Sequence, residues 1–109
     1  MFSIFYYNQS VKDDIEDFPG GIKKRYFNLT DRMIEYGPNL GEPHTKALGD
    51  GLFEIRAKSQ EGIGRAFYCT VIGKKIIVLH AIIKKSQKTQ KKDLDMAKKR
   101  MKEVQNAWK

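Results

Sequence analysis

With 109 residues the chain is long enough to bury one hydrophobic core but not two independent ones, so a single domain over 1–109 is expected and one surface must carry the function. A hydrophobic fraction of 40% that includes six Phe, five Tyr and one Trp excludes a chain too polar to fold, and no apolar run approaches the roughly 20 residues of a membrane-spanning helix. The net charge of +8 is unevenly placed, with ten Lys/Arg against three acids in 84–109 and eleven against ten in 1–83, which points to a polyanionic partner for the C-terminal part.

In chain order, 2–7 is an apolar and aromatic run that suits a strand. Val11, Ile15 and Phe18 then recur at helical spacing, with Ser10 as the predicted N-cap. Pro19, Gly20 and Gly21 interrupt this short helix before a second one, whose apolar face is Ile22, Tyr26, Leu29, Met33 and Tyr36 and which ends at Gly37 and Pro38. Residues 37–51, rich in Gly and Pro and without periodicity, read as a surface loop. The period then changes to two, and 52–58, 65–72 and 75–83 read as an antiparallel meander with short connections. Residues 76–83 are apolar on both faces, which places that strand in the sheet centre with both sides covered. Leu94, Ala97, Met101, Val104 and Trp108 form one stripe of a final helix over about 90–108, opposite a lysine-rich face. The expected class is therefore α+β: a small antiparallel sheet packed against an N-terminal helical hairpin, with a C-terminal basic amphipathic helix.

The N-terminus has no basic head followed by an apolar stretch and a cleavage site, so a cytoplasmic protein with no membrane role is expected. The single cysteine, Cys69, lies in an apolar strand and is expected to pack as a small hydrophobe. The chain has no phosphate-binding Gly-rich loop, no dinucleotide fingerprint, no paired Cys and no His-Glu-x-x-His motif. With two His and one Cys the usual structural zinc ligand sets are out of reach, and no metal or cofactor is expected.

What remains is a set of cations. Alternation puts Glu54, Arg56 and Lys58 on one face of their strand, while Arg65 opens the row that continues through Phe67, Cys69 and Val71. An arginine on an apolar row must find an anion or an exit. It can form a salt bridge, for instance to Glu54, or offer a permanently charged fork to a phosphate. A second cluster, Lys84-Lys85-Ser86-Gln87-Lys88-Thr89-Gln90-Lys91-Lys92, runs from the central strand into the last helix. Lys91 and Lys92 oppose the helix dipole there, a conflict that a bound phosphate would relieve. His80, inside the apolar strand, is either a buried histidine satisfied by a hydrogen bond or a base.

Gly49-Asp50-Gly51-Leu52-Phe53-Glu54-Ile55-Arg56, Arg65-Ala66-Phe67-Tyr68 and Leu79-His80-Ala81-Ile82-Ile83-Lys84-Lys85-Ser86-Gln87-Lys88-Thr89 together resemble the signature runs of phage-derived, HigB-type toxins of the RelE/ParE superfamily. Ser86 and Gln90 depart from that pattern, which favours Thr and Pro there, and the C-terminal segment lacks the Tyr that some RelE-type enzymes use. The resemblance implies a RelE/ParE-like fold and a metal-independent endoribonuclease that cuts mRNA on the ribosome by driving the 2′-hydroxyl onto the adjacent phosphate. It also implies silencing by a HigA-type helix-turn-helix antitoxin, through which alone operator DNA would be reached. By analogy Arg56, Arg65, Lys84 and Lys85 occupy the catalytic surface, with Lys58, Lys88, Lys91 and Lys92 holding RNA. The general base is then His80 or a lysine of the Lys84-Lys85 pair, whose pKa the neighbouring cations would lower. Two other functions fit the same residues: a ParE-type inhibitor of DNA gyrase, and a nucleic-acid-binding module that never cuts.

Overall fold

The first helix begins one residue before the predicted cap. The side-chain oxygen of Asn8, in extended backbone, accepts the Val11 amide proton at 2.9 Å and so takes the capping role expected of Ser10. The computed structural model describes residues 1–84 and 90–107. Its elements are β1 (Ser3–Tyr6), α1 (Gln9–Glu16), α2 (Gly20–Tyr36), β2 (Thr45–Gly49), β3 (Leu52–Ser59), β4 (Gly62–Val71), β5 (Lys75–Lys84) and α3 (Lys91–Ala107). Among the described residues no helix is long and apolar enough to cross a membrane.

The five strands form one sheet in the order β1-β5-β4-β3-β2. The predicted antiparallel meander is present as β3-β4-β5, and the α+β class holds. Two features enlarge it. β1 pairs with β5 in parallel, so the sheet is mixed, and β5 gains a neighbour on each side. β2 lies inside the stretch read as a loop and pairs antiparallel with β3. Its connection to β3 is Asp50-Gly51, both residues with positive φ (56° and 89°), the conformation that a tight two-residue hairpin demands. That dipeptide was the available signal. It was obscured because Thr45–Gly49 is an edge strand with little apolar alternation and three exposed residues, Lys46, Ala47 and Gly49.

The sheet separates two apolar cores. On one face α1 and α2 bring Val11, Ile15, Ile22, Tyr26, Leu29 and Met33 against Ile55, Ala66, Tyr68, Ile76 and Val78. The two layers approach closely at Gly64, where an added Cβ would stand 2.4 Å from Ile22 Cγ2 and 3.0 Å from Phe18 Cε2. On the other face α3 brings Ala97, Met101 and Val104 against Leu52, Phe67, Cys69, Ile77 and Leu79. Cys69 is fully buried there as expected, and burial pushes its thiol pKa up to about 11.

Candidate functional site

Strict alternation along β5 would put His80 on the same side as Ile76 and Val78, in the core under α1 and α2. The register shifts between Phe67 and Tyr68: Phe67 is opposite His80, whereas Tyr68 is opposite Val78, so Leu79 is the extra residue of a β-bulge. Beyond the bulge the parity is reversed. Ala81 joins the core under α1 and α2, and His80 joins Leu79 on the α3 side. A bulge leaves a ladder group unsatisfied; here the Leu79 carbonyl accepts a hydrogen bond from Arg100 Nη1 at 2.8 Å. The Arg100 guanidinium also lies 4.6 Å from the centre of the Tyr7 ring, and the Tyr7 hydroxyl donates to Glu103. These contacts pin α3 over the bulge.

His80 is thereby held on two sides. Its ring stacks on Phe67, with centroids 5.9 Å apart and planes 15° from parallel. Its Nε2 lies 3.0 Å from Oδ1 of Asp93, a buried residue of the first turn of α3. A carboxylate in the first turn is favoured by the helix dipole and partly offsets the exposed Lys91 and Lys92 beside it. A carboxylate acceptor places a proton on Nε2, so that in the neutral ring the lone pair is on Nδ1. Asp93 escaped sequence reasoning because its partner lies 13 positions away and is reached only through the bulge.

Next to His80 on the same face stand Glu54, Arg56 and Lys58 of β3 with Ile63, Arg65 and Phe67 of β4, as the cross-strand pairs Glu54–Phe67, Arg56–Arg65 and Lys58–Ile63 require. Arg65 sits where alternation placed it, but its side chain is 0% exposed. Its Nη1 donates to Glu54 Oε1 at 3.0 Å, and the same oxygen accepts from Arg56 Nε at 2.7 Å. One buried carboxylate therefore sits between two guanidiniums. Such an arrangement anchors the two arginines, because both guanidiniums donate to the same buried carboxylate oxygen. Arg65 forms the salt bridge that its apolar row called for, and Arg56, with 24% of its side chain exposed, is the member of the trio that meets solvent.

Of the other predicted residues, Lys58, Lys91 and Lys92 are exposed. The Lys84 backbone closes β5 opposite Ile63. Lys85 and Lys88, with Ser86 and Thr89, lie outside the described residues, as does Trp108. Arg56, Arg65, Lys58 and His80 are thus brought to one face of the sheet, and the His80–Asp93 contact sets the start of α3, with Lys91 and Lys92, beside that face. Among the described residues no group of three or more His, Cys, Asp or Glu could hold a metal ion.

Residues 13–102 match the family described as phage derived protein Gp49-like (DUF891). No curated protein matches the chain. The match spans most of its length, and the chain belongs to this family, which is associated with RelE/HigB-type toxins.

Proposed function

Taking membership of the Gp49-like family as the premise, we propose that the protein is the HigB-type toxin of a toxin–antitoxin pair, an endoribonuclease that cuts mRNA on the ribosome. The observation that carries this reading is a histidine fixed by a carboxylate on the same sheet face as an anchored, solvent-reaching arginine. Cleavage by internal attack needs a base, a cation for the developing phosphorane charge and an acid for the leaving oxygen, and no metal ion.

In this reading His80 Nδ1 takes the proton of the 2′-hydroxyl while Asp93 steadies the imidazolium that forms. The 2′-oxygen bonds to phosphorus, and the bond to the 5′-oxygen breaks. Arg56 stabilises the charge on the non-bridging oxygens, and Lys84 or Lys85 returns a proton to the leaving 5′-oxygen, giving a 2′,3′-cyclic phosphate and a 5′-hydroxyl. Arg65 is a positioning residue that acts through Glu54 on Arg56. Lys58, Lys88, Lys91 and Lys92 hold the RNA backbone, and the ribosome aligns the message, since positioning alone lowers such barriers by several kcal/mol. A HigA-type helix-turn-helix antitoxin silences the toxin in the cytoplasm and carries it to operator DNA.

The test is cell-free translation with the protein added, followed by primer extension on the message. Codon-phased cuts are expected from the unaltered chain. His80→Gln and Asp93→Asn should each reduce them by roughly 10²–10⁴-fold, the range of an acid–base group and of a carboxylate that fixes its tautomer. Intact message together with gyrase stalled on DNA would replace this reading with the ParE-type one. Intact message with salt-sensitive RNA binding would leave a binding module.

A further inference from the structure

Arg56 and Lys58, which belong to the sheet-face site, also line a second feature with Arg25 and His44, two residues that site does not use. β2 begins at Thr45, opposite Ile55, and past that pair a cleft of about 490 Å3 is lined by the loop before β2, by α2, and by β3 and β4. Its lining is Arg25, Pro43, His44, Arg56, Lys58 and Ile63. Four of the six carry nitrogen cations or an imidazole, none is acidic, and Pro43 and Ile63 supply an apolar wall. The volume falls within the roughly 300–1,000 Å3 typical of small-ligand sites.

The cleft is built into the fold. The His44 carbonyl accepts from the Arg56 amide at 2.8 Å, and the His44 and Thr45 amides both donate to the Gly41 carbonyl at 3.0 Å. The buried Thr45 hydroxyl accepts from the Gly41 amide at 2.8 Å, and the Tyr68 hydroxyl, rising from the core, donates to the Pro38 carbonyl. The loop that carries Pro43 and His44 is therefore held at both ends.

Inside it, Arg25 Nη2 lies 3.1 Å from His44 Nδ1. A guanidinium can only donate, so His44 must accept at Nδ1 and carry its proton on Nε2. Partial burial and the charges of Arg25 and Arg32 lower the His44 pKa from its ordinary value, in the direction that favours the neutral ring. The cleft thus offers a permanent fork at Arg25, a neutral N–H donor at His44, the Lys58 ammonium and an apolar wall. No carboxylate lies within ion-pair distance of Arg25 among the described ion pairs.

We infer that this cleft is a nucleotide subsite: it takes one nucleoside phosphate of a single-stranded RNA, the phosphate on Arg25 and Lys58 and the base or ribose against Pro43 and Ile63, with His44 donating to a polar edge. The mixed lining selects this ligand over a bare anion, since cations alone would suit phosphate equally well and the apolar wall adds only if a flat ring lies on it. Because Arg56 borders both the cleft and the His80 face, the nucleotide held here would adjoin the one whose phosphate is attacked. That adjacency rests on the nuclease reading; occupancy of the cleft does not.

The experiment is titration of the full chain with adenosine and uridine 3′,5′-bisphosphates, and separately with inorganic phosphate, followed by amide chemical shifts and calorimetry. Expected are shifts at His44, Lys58 and Ile63, and tighter binding of the bisphosphates than of inorganic phosphate. Arg25→Gln should weaken the nucleotides roughly tenfold or more, the loss of one charge-assisted hydrogen bond. Lys58→Ala, at an exposed position that the fold does not need, is the second variant and should weaken them several-fold with an unchanged urea midpoint. Equal affinity for inorganic phosphate would overturn the nucleotide assignment. Shifts confined to α3 lysines, or no binding, would overturn the site. If the bisphosphates bind in the cleft yet no message is cut, the nuclease reading falls and this inference stands; cutting with an empty cleft gives the reverse.

Discussion

Replacing Glu54 by glutamine should destabilise the protein more than removing Arg65, the larger side chain it holds. Glu54 and Arg65 are both 0% exposed, so solvent does not screen their contact, and Arg56 shares the same carboxylate oxygen. Glutamine preserves the shape but removes the only negative charge of the trio, leaving two guanidiniums that are direct cross-strand partners around a neutral amide. Removing one partner from a buried ionic group costs about 3–5 kcal/mol. At a urea m-value of roughly 1–3 kcal/mol/M this lowers the unfolding midpoint by at least about 1 M. Arg65→Met should cost less, about 1–2 kcal/mol, because Arg56 continues to neutralise Glu54 and methionine fills much of the space. The double variant Glu54→Met with Arg65→Met should recover most of the loss, since an apolar pair of similar volume can match a buried ion pair. Equilibrium urea unfolding followed by far-UV circular dichroism measures all three. A Glu54→Gln unfolding free energy within about 1 kcal/mol of the unaltered chain, or a double variant as unstable as the two single losses added together, would refute the reasoning.

Gly64→Ala should destabilise by about 1–3 kcal/mol, the usual range for overpacking, since its methyl would meet Ile22 Cγ2 at 2.4 Å. Ile22→Leu in the same chain, which lacks the Cγ2 methyl at similar side-chain volume, should restore part of that loss, as read by the urea midpoint. Cys69 should resist alkylation at pH 8 in the folded protein and react fully in denaturant, because its thiol is buried and its pKa raised to about 11. The linkage has a definite sign: between the ordinary value of 9.0 and about 11 the folded chain keeps a proton that the unfolded chain has released. The thiol's contribution to stability is therefore lost as pH rises through that window, and Cys69→Ala should make the alkaline limb of the stability curve shallower.

Periodicity made much of this protein legible. The helical spacing of Val11, Ile15, Ile22, Tyr26, Leu29 and Met33 identified the residues that α1 and α2 bury, and the stripe Leu94, Ala97, Met101 and Val104 identified the face of α3 turned to the sheet. Alternation put Arg56 and Lys58 on one face, put Arg65 in the row of Phe67 and Cys69, and marked β5 as a strand covered on both sides. These are properties of short stretches, in which a side chain's direction follows from its own backbone geometry.

Tertiary structure decided what depends on a second stretch of chain. Which face His80 meets is set by the bulge at Leu79, a mismatch between β4 and β5 that neither strand contains alone. That Asp93 is its partner follows from where α3 lands, and the parallel edge pairing of β1 follows from a crossover through α1 and α2. Arg65 had a charge to satisfy from the moment its row was read, yet only cross-strand register could choose between an internal carboxylate and a solvent-facing role, because burial and partner distance set the cost of an ion and both are properties of the assembled sheet.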